Sequence, residues 1–232
     1  LPWPWGVALA GLAAGRIGGW KLGLMAAGMA GFIASAGLWP EAMVTIYLCG
    51  VSVVIAMAIG VPLGIWAGQS ERAHAVLQII IDTLQTLPTF VYLIPVVMLF
   101  RVGDFSAMVA VVLYALVPAV RYAAHGIRAV DPALIEAAIV SGCTRWQVLW
   151  RVKLPLAWPS ILLGLNQSIM LALSMLVITA LVGTRDLGQE VYIALTKANV
   201  GKGVVAGLAV AFIAILADRM IAAKPGKEAP HV

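Results

Sequence analysis

Apolar runs of helical length recur along the chain at about residues 5–15, 22–38, 42–68, 76–100, 105–124, 159–183 and 203–222. A helix that crosses the hydrocarbon layer needs about 20 such residues, and all but the first run approach that length. Most connectors between the runs are short. The exceptions lie near 125–158 and 184–202, so the pattern predicts one membrane domain with no separate soluble domain. The stretch from Lys224 to Val232 (KPGKEAPHV) carries turn formers and charges with little to bury, which predicts a disordered tail over 223–232.

Composition agrees with the pattern. Of 232 residues, 62% are hydrophobic and only 11% charged, with a mean hydropathy of +1.02. A soluble domain is nearer half apolar and a quarter charged, so the chain is expected to be an all-α, polytopic transmembrane bundle. A net charge of +5 and a pI near 9.5 would suggest nucleic acid in a soluble protein. Here the basic residues sit between apolar runs and read as membrane topology. Under one alternation Arg16, Lys21, Arg72, Arg121, Arg128, Arg145, Arg151, Lys153, Arg219, Lys224 and Lys227 share a side, eleven of the fifteen. The other side holds Arg101, Arg185, Lys197 and Lys202. The positive-inside rule then places the N-terminus outside, and the C-terminus and the loop 125–158 in the cytoplasm.

Smaller signals add detail. Trp39, Trp66 and Trp158 fall near span ends, where such rings anchor at headgroup level; an aromatic cage for a quaternary ammonium ligand is the rarer alternative. Gly11, Gly15 and Gly19, and again Gly60, Gly64 and Gly68, recur every fourth residue and form ridges that let helices approach closely. Cys49 and Cys143 give neither a disulfide framework nor metal spacing. The chain opens at Leu1 inside an apolar stretch, without a basic segment and cleavage site, so no signal peptide is expected and further residues upstream are.

Motifs of chemistry are missing. The Gly-Lys pairs at 201–202 and 226–227 lack the preceding glycine and the following Ser or Thr of a phosphate-cradling loop. Gly201, Gly203 and Gly207 miss the dinucleotide spacing by one residue. His74, His125 and His231 form no ligand pair, and no GxSxG elbow is present. The chain is therefore not expected to be an enzyme or to hold a cofactor of its own. If it moves a solute uphill with ATP, the ATPase is another chain.

The most informative stretch is DPALIEAAIVSGCTRWQVLWRVKLPLAWP, Asp131 to Pro159. Asp131 is a good N-cap and Pro132 suits the first helical position. A helix over Pro132–Ser141 then stops at Gly142, and Thr144 with Gln147 forms a capping box that restarts one through about Val152 until Pro155 ends it. Leu134, Ile135, Ala138 and Ile139, with small Ala137, would give the first helix a narrow apolar surface. Such a surface can enter a groove on a partner or lie on lipid.

Glu136-Ala137-Ala138, then Gly142, then Leu154-Pro155 resembles the EAA signature of ABC importer permeases. The runs LQTLPTFVYLIP (84–95), VPLGIW (61–66) and NQSIMLALSM (166–175) resemble the glycine betaine/proline, or quaternary-ammonium, permease subfamily, and the similarity extends from about Leu1 to Met220. The resemblance implies a type I importer permease fold, with a five-helix core at 41–222 and additional N-terminal helices at 1–40 packed on it. It implies a coupling role for the loop 125–158, which in that family sits in a cleft of the ATP-binding subunit. The expected partners are two copies of the ATPase, which bind the ATP and Mg, an extracytoplasmic substrate-binding protein, a second permease copy and membrane lipid, with no nucleic acid. The implied setting is a bacterial inner membrane, and the implied cargo is glycine betaine, proline, choline or a methylamine such as trimethylamine N-oxide. One departure is the tryptophan-rich second loop helix, with Trp146 and Trp150. An ion-coupled carrier or channel with a regulatory loop is the alternative.

Polar residues inside spans are costly and often functional. Gln85, Thr89 and Tyr92 stand i, i+4, i+7 on the run 76–100, which Pro88 and Pro95 interrupt, and Gln167, Met170 and Ser174, beside Asn166, form a second such face. They are candidates to line a path; the alternative is that they bond helices together. Asp82 and Arg121 fall at similar depth, either as a buried ion pair or as a hydrated Asp and a snorkelling Arg. A cysteine introduced near Arg145 is expected to react with membrane-impermeant reagents only from the cytoplasmic side. Labelling from outside in intact cells would overturn the alternation.

Overall fold

The computed structural model describes residues 2–223, the side chain of Tyr92 aside, and places them in helices. The disordered tail predicted from Lys224 onward lies outside the described residues. The elements are α1 (Trp3–Gly18), α2 (Trp20–Ser35), α3 (Trp39–Gln69), α4 (Glu71–Thr86), α5 (Thr89–Phe100), α6 (Asp104–Arg128), α7 (Pro132–Val140), α8 (Arg145–Val148), α9 (Leu154–Thr179), α10 (Leu187–Thr196) and α11 (Val200–Ala222). A π turn at Leu149–Lys153 joins α8 to α9, and a 3₁₀ turn at Ala180–Val182 follows α9.

Among the described residues four helical segments are long and apolar enough to cross a membrane: Trp39–Gln69, Asp104–Arg128, Arg145–Val182 and Val200–Ala222. The pair α4 and α5 makes a fifth if it counts as one broken span. The interruption expected in the run 76–100 falls at Pro88, while α5 continues through Pro95. Leu87 is extended (ψ 135°), as a residue before proline prefers, and Pro88 cannot continue the helix. Before residue 40, α1 extends beyond the predicted run 5–15 and α2 nearly matches 22–38, yet neither is long enough to span. At 16 residues each, α1 and α2 reach about 24 Å, less than the roughly 30 Å of hydrocarbon.

The chain divides into two compact units, each built from separate stretches. The first comprises 1–52, 89–111 and 169–232. Within it Gly19 (φ +84°) is the turn between α1 and α2, rather than part of a packing ridge. Gly11 and Gly15 do pack: a Cβ on Gly23 of α2 would fall 2.8 Å from the Gly11 carbonyl oxygen and 3.0 Å from Gly15 Cα. Ile33, Ala42, Leu187 and Ala209 form the core, flanked by an edge-to-face contact of Phe32 with Phe212 at 5.3 Å.

The connector predicted over 184–202 contains α10. Asp186 caps it, accepting from the Gln189 N–H and from the Thr184 hydroxyl at 3.1 Å each. Burial pushes the Asp186 carboxyl above the usual carboxylate range, against the opposing pull of those two hydrogen bonds. The buried Thr45 hydroxyl fixes the same end of α10, accepting from the Leu187 N–H at 3.0 Å while donating to the Glu41 carbonyl at 2.9 Å.

The second unit comprises 53–88 and 112–168. Here α3 lies against α6 through the predicted glycine ridge. A Cβ on Gly60 would stand 2.6 Å from Ala119 Cβ, one on Gly64 2.5 Å from the Val120 carbonyl oxygen, and one on Gly68 2.6 Å from Ile127 Cβ. Gly126 and Gly164 do the same between α6 and α9, against Ser160 and Tyr122. Ala123, Ile127, Leu149, Ala157 and Ile161 are buried together beside these contacts.

Gly64→Ala should therefore destabilise the protein by about 1–3 kcal/mol, because the added methyl meets backbone that cannot step aside. Gly50→Ala, which meets nothing within 4 Å, should stay within about 0.5 kcal/mol of the parent. Unfolding of the detergent-solubilised protein by heat or SDS measures both. Equal stability would mean that α3 and α6 do not pack through Gly64.

Candidate functional site

The stretch between α6 and α9 forms the predicted capped helix pair. The Asp131 carboxylate accepts from the Ala133 N–H at 2.9 Å, and Pro132 opens α7. The Ser141 hydroxyl donates to the Ala137 carbonyl at 2.8 Å. Gly142 has φ +84°, and the Cys143 N–H donates back to the Ala138 carbonyl at 3.0 Å. That is the left-handed stop that glycine permits. The capping box closes as the spacing predicts: the Thr144 N–H donates to Gln147 Oε1 at 2.8 Å, and the Gln147 N–H to Thr144 Oγ1 at 3.4 Å.

Two details differ from the sequence reading. Pro155 does not end the second helix, which passes through the π turn into α9. Within that turn the Leu154 N–H bonds to the Leu149 carbonyl, five residues back. The regular ladder is already interrupted there, so the proline's missing N–H and its ring cost little. The exposed apolar edge is also rearranged. Leu134 and Ile139 face outward with Val140, which is 88% exposed, whereas Ile135 and Ala138 are half-buried. Ile135 and Ile139 border a cavity of about 530 Å³ with Cys143, Val148, Arg145 and Gln69. Glu136 and Ala137 are exposed, α7 has no buried residue, and Trp146 and Trp150 project outward at 70% and 61% exposure. Leu154 is half-buried and Pro155 exposed in the first turn of α9.

The predicted polar faces are less coherent. With the helix broken at Leu87–Pro88, Gln85 ends α4 and Thr89 begins α5, so the two do not share one helical face; the Tyr92 side chain lies outside the described residues. Gln85 is exposed and Thr89 half-buried. On α9, Gln167 and Ser174 are exposed, Asn166 and Met170 half-buried, and the Ser174 hydroxyl donates to the Met170 carbonyl at 2.9 Å. Arg121 and Asp82 do form an ion pair, at 2.5 Å, but with 44% and 51% of their side chains exposed it is not buried. A second pair joins Arg128 to Glu71 at 2.9 Å.

Ser168, outside both predicted polar faces, is fully buried, and its hydroxyl donates to the Ala115 carbonyl at 2.9 Å and so bonds α9 to α6. Its signal is the small-residue spacing Gly164, Ser168, Ala172. Asp186 likewise lies outside the predicted sites, and its signal is the cap spacing Asp186-x-x-Gln189.

Long apolar helices, with a capped helix pair leading into the third of them, define a polytopic helical membrane protein. The family described as the binding-protein-dependent transport system inner membrane component matches residues 60–223, and the chain belongs to it. Among curated relatives, the trimethylamine N-oxide transport system permease protein TmoV of Pelagibacter ubique is 43% identical over 93% of this chain and 30% of its own length. The glycine betaine transport system permease protein OpuAB of Bacillus subtilis is 46% identical over 79% of this chain and 65% of its own. The glycine betaine/proline betaine transport system permease protein ProW of Escherichia coli is 38% identical over 95% and 62%. The chain thus spans between about a third and two thirds of the length of these relatives. In fold it is similar to the MetNI methionine ABC transporter in an inward-facing conformation, at 18% identity and a TM-score of 0.72 over 80% of this chain and 95% of that one.

Proposed function

We propose that this chain is the membrane-spanning subunit of an ATP-driven importer for a small zwitterionic or quaternary-ammonium osmolyte. The observation that carries the reading is the helix pair between α6 and α9, rigidly capped yet turning Leu134, Ile139, Val140 and two tryptophans away from its own fold. A linker between two spans needs no such surface, whereas a partner groove does. Membership in the inner membrane family and the names of the relatives, which transport glycine betaine, proline betaine or trimethylamine N-oxide, supply the class of cargo.

In this reading Glu136, Ala137, Ala138, Gly142, Leu154 and Pro155 form the element that receives the ATPase, which holds ATP and Mg in its own chain. Two ATPase copies, a second permease copy and an extracytoplasmic binding protein complete the assembly. The N-terminus lies outside and the C-terminus in the cytoplasm. Closure of the ATPase pair moves the α7–α8 element, and the two permease subunits alternate between outward and inward access. Gln85, Thr89, Tyr92, Asn166, Gln167, Met170 and Ser174 line the route.

Vesicles reconstituted with the ATPase inside should accumulate glycine betaine or trimethylamine N-oxide only when ATP is supplied internally. Uptake that follows an ion gradient without ATP would favour the carrier reading. Leu in place of Gln85, Thr89 or Ser174 is expected to slow this uptake while the complex still assembles; normal transport by all three would make those faces packing contacts.

The coupling role is tested at Gly142. A side chain at φ +84° costs roughly 1 kcal/mol, and Asp adds bulk where the partner presses. Gly142→Asp should leave the spans inserted but abolish ATP-driven uptake and co-purification of the ATPase, and Glu136→Ala should weaken both more mildly. Wild-type values for Gly142→Asp in both assays would remove the loop from the mechanism.

A further inference from the structure

The first unit holds a cavity of about 620 Å³ that neither the loop nor the polar faces use, bordered by the end of α2, the first turns of α3 and α11, and α10. Phe32, Leu38 and Val205 supply apolar wall, and Glu41, Glu190 and Lys202 supply charge. One oxygen of Glu41, Oε2, is buried with no hydrogen-bond partner. A buried carboxylate oxygen left unpaired is costly, and an ammonium donor relieves that cost. Two carboxylates against one lysine leave the cavity one negative charge in excess, which favours a cationic group beside Glu41 and Glu190.

The opposite preference holds at α11. Lys202 occupies its first turn, where a cation opposes the helix dipole, and among the described residues it makes no ion pair. Gly201, next to it in the cavity wall, belongs to the first turn whose N–H groups lack intrahelical acceptors. An anionic group there meets both. The cavity is therefore lined by both carboxylates and an ammonium, with apolar wall beside them. It also lies where two candidate spans, Trp39–Gln69 and Val200–Ala222, begin, the level at which lipid headgroups sit.

We propose that this cavity binds a zwitterion, the headgroup of an amine-bearing phospholipid, with its ammonium on Glu41 and Glu190, its phosphate on Lys202 and the first turn of α11, and its glycerol end against Phe32, Leu38 and Val205. The assignment is independent of the transport reading. A free betaine offers the same pair of charges without the apolar part.

The test uses the full chain purified in mild detergent and examined by native mass spectrometry after exposure to phosphatidylethanolamine or phosphatidylglycerol. Retention of phosphatidylethanolamine over phosphatidylglycerol is expected, and the double variant Glu41→Gln, Glu190→Gln should lower it about tenfold. Lys202→Gln, at an exposed position that leaves the fold intact, should lower it as well and serves if the double variant does not fold. Helix content and elution volume in lipid-free detergent check that each variant is folded. Equal retention of phosphatidylglycerol, or retention unchanged in folded variants, would overturn the site. Saturable binding of radiolabelled glycine betaine to the lipid-free chain, lost in the same variants and displacing the lipid, would overturn the lipid as its occupant.

Discussion

Helices in lipid gain little from hiding apolar surface from one another, so attraction between them has to come from close contact. In the second unit that contact is the approach of α3 to α6. Three glycines, Gly60, Gly64 and Gly68, bring the α3 backbone onto Ala119, Val120, Ala123 and Ile127, and at Gly64 the neighbour is a carbonyl oxygen rather than a movable side chain. Gly126 and Gly164 repeat the arrangement between α6 and α9, where the Ser168 hydroxyl adds one interhelical hydrogen bond. Since α6 leads into α7 and α8 leads into α9, the loop element inherits its placement from these contacts.

The loop element itself depends on local rules. A helix of nine residues with no buried side chain has little packing to hold it and is too short to persist on propensity alone. Asp131, the Ser141 hydroxyl and the left-handed Gly142 satisfy its ends one by one, and the Thr144–Gln147 box does the same for the start of α8. An element stabilised by its caps keeps its shape while its apolar edge stays uncovered. That is the property a docking element requires, and it explains how exposed Val140, Trp146 and Trp150 can be carried on an ordered loop.

What could be read from the sequence is what short spacing determines. The span-length runs, the glycine ridge of α3 and every cap of the loop follow from residues within a few positions of each other. The departures come from contacts at long separation or from backbone choices that several residues make together. α10 is positioned by Thr45, more than a hundred residues upstream, through the Leu187 N–H. Ile135 is half-buried because it shares a cavity wall with Gln69, Val148 and Leu149, neighbours that helix periodicity alone does not reveal. Glu41, Glu190 and Lys202 carry no spacing signal at all, since three different helices bring them to one cavity.

The prolines show why the path was the hardest part to read. Pro62, Pro95, Pro118 and Pro159 all lie inside helices that continue through them, whereas the chain breaks at Pro88. Pro118 is buried, and the Gly164 contact closes on its carbonyl, which leaves the backbone no room to unwind. Pro88 is exposed, and hydroxyls precede it: Thr83 donates to the Ile79 carbonyl at 2.7 Å and Thr86 to the Thr83 carbonyl at 3.1 Å. The Thr83 carbonyl also accepts the Leu87 N–H at 3.1 Å, so these hydroxyls are spent on backbone that stays helical up to the break. Part of the polarity around residues 83–89 is therefore accounted for by the backbone without any solute.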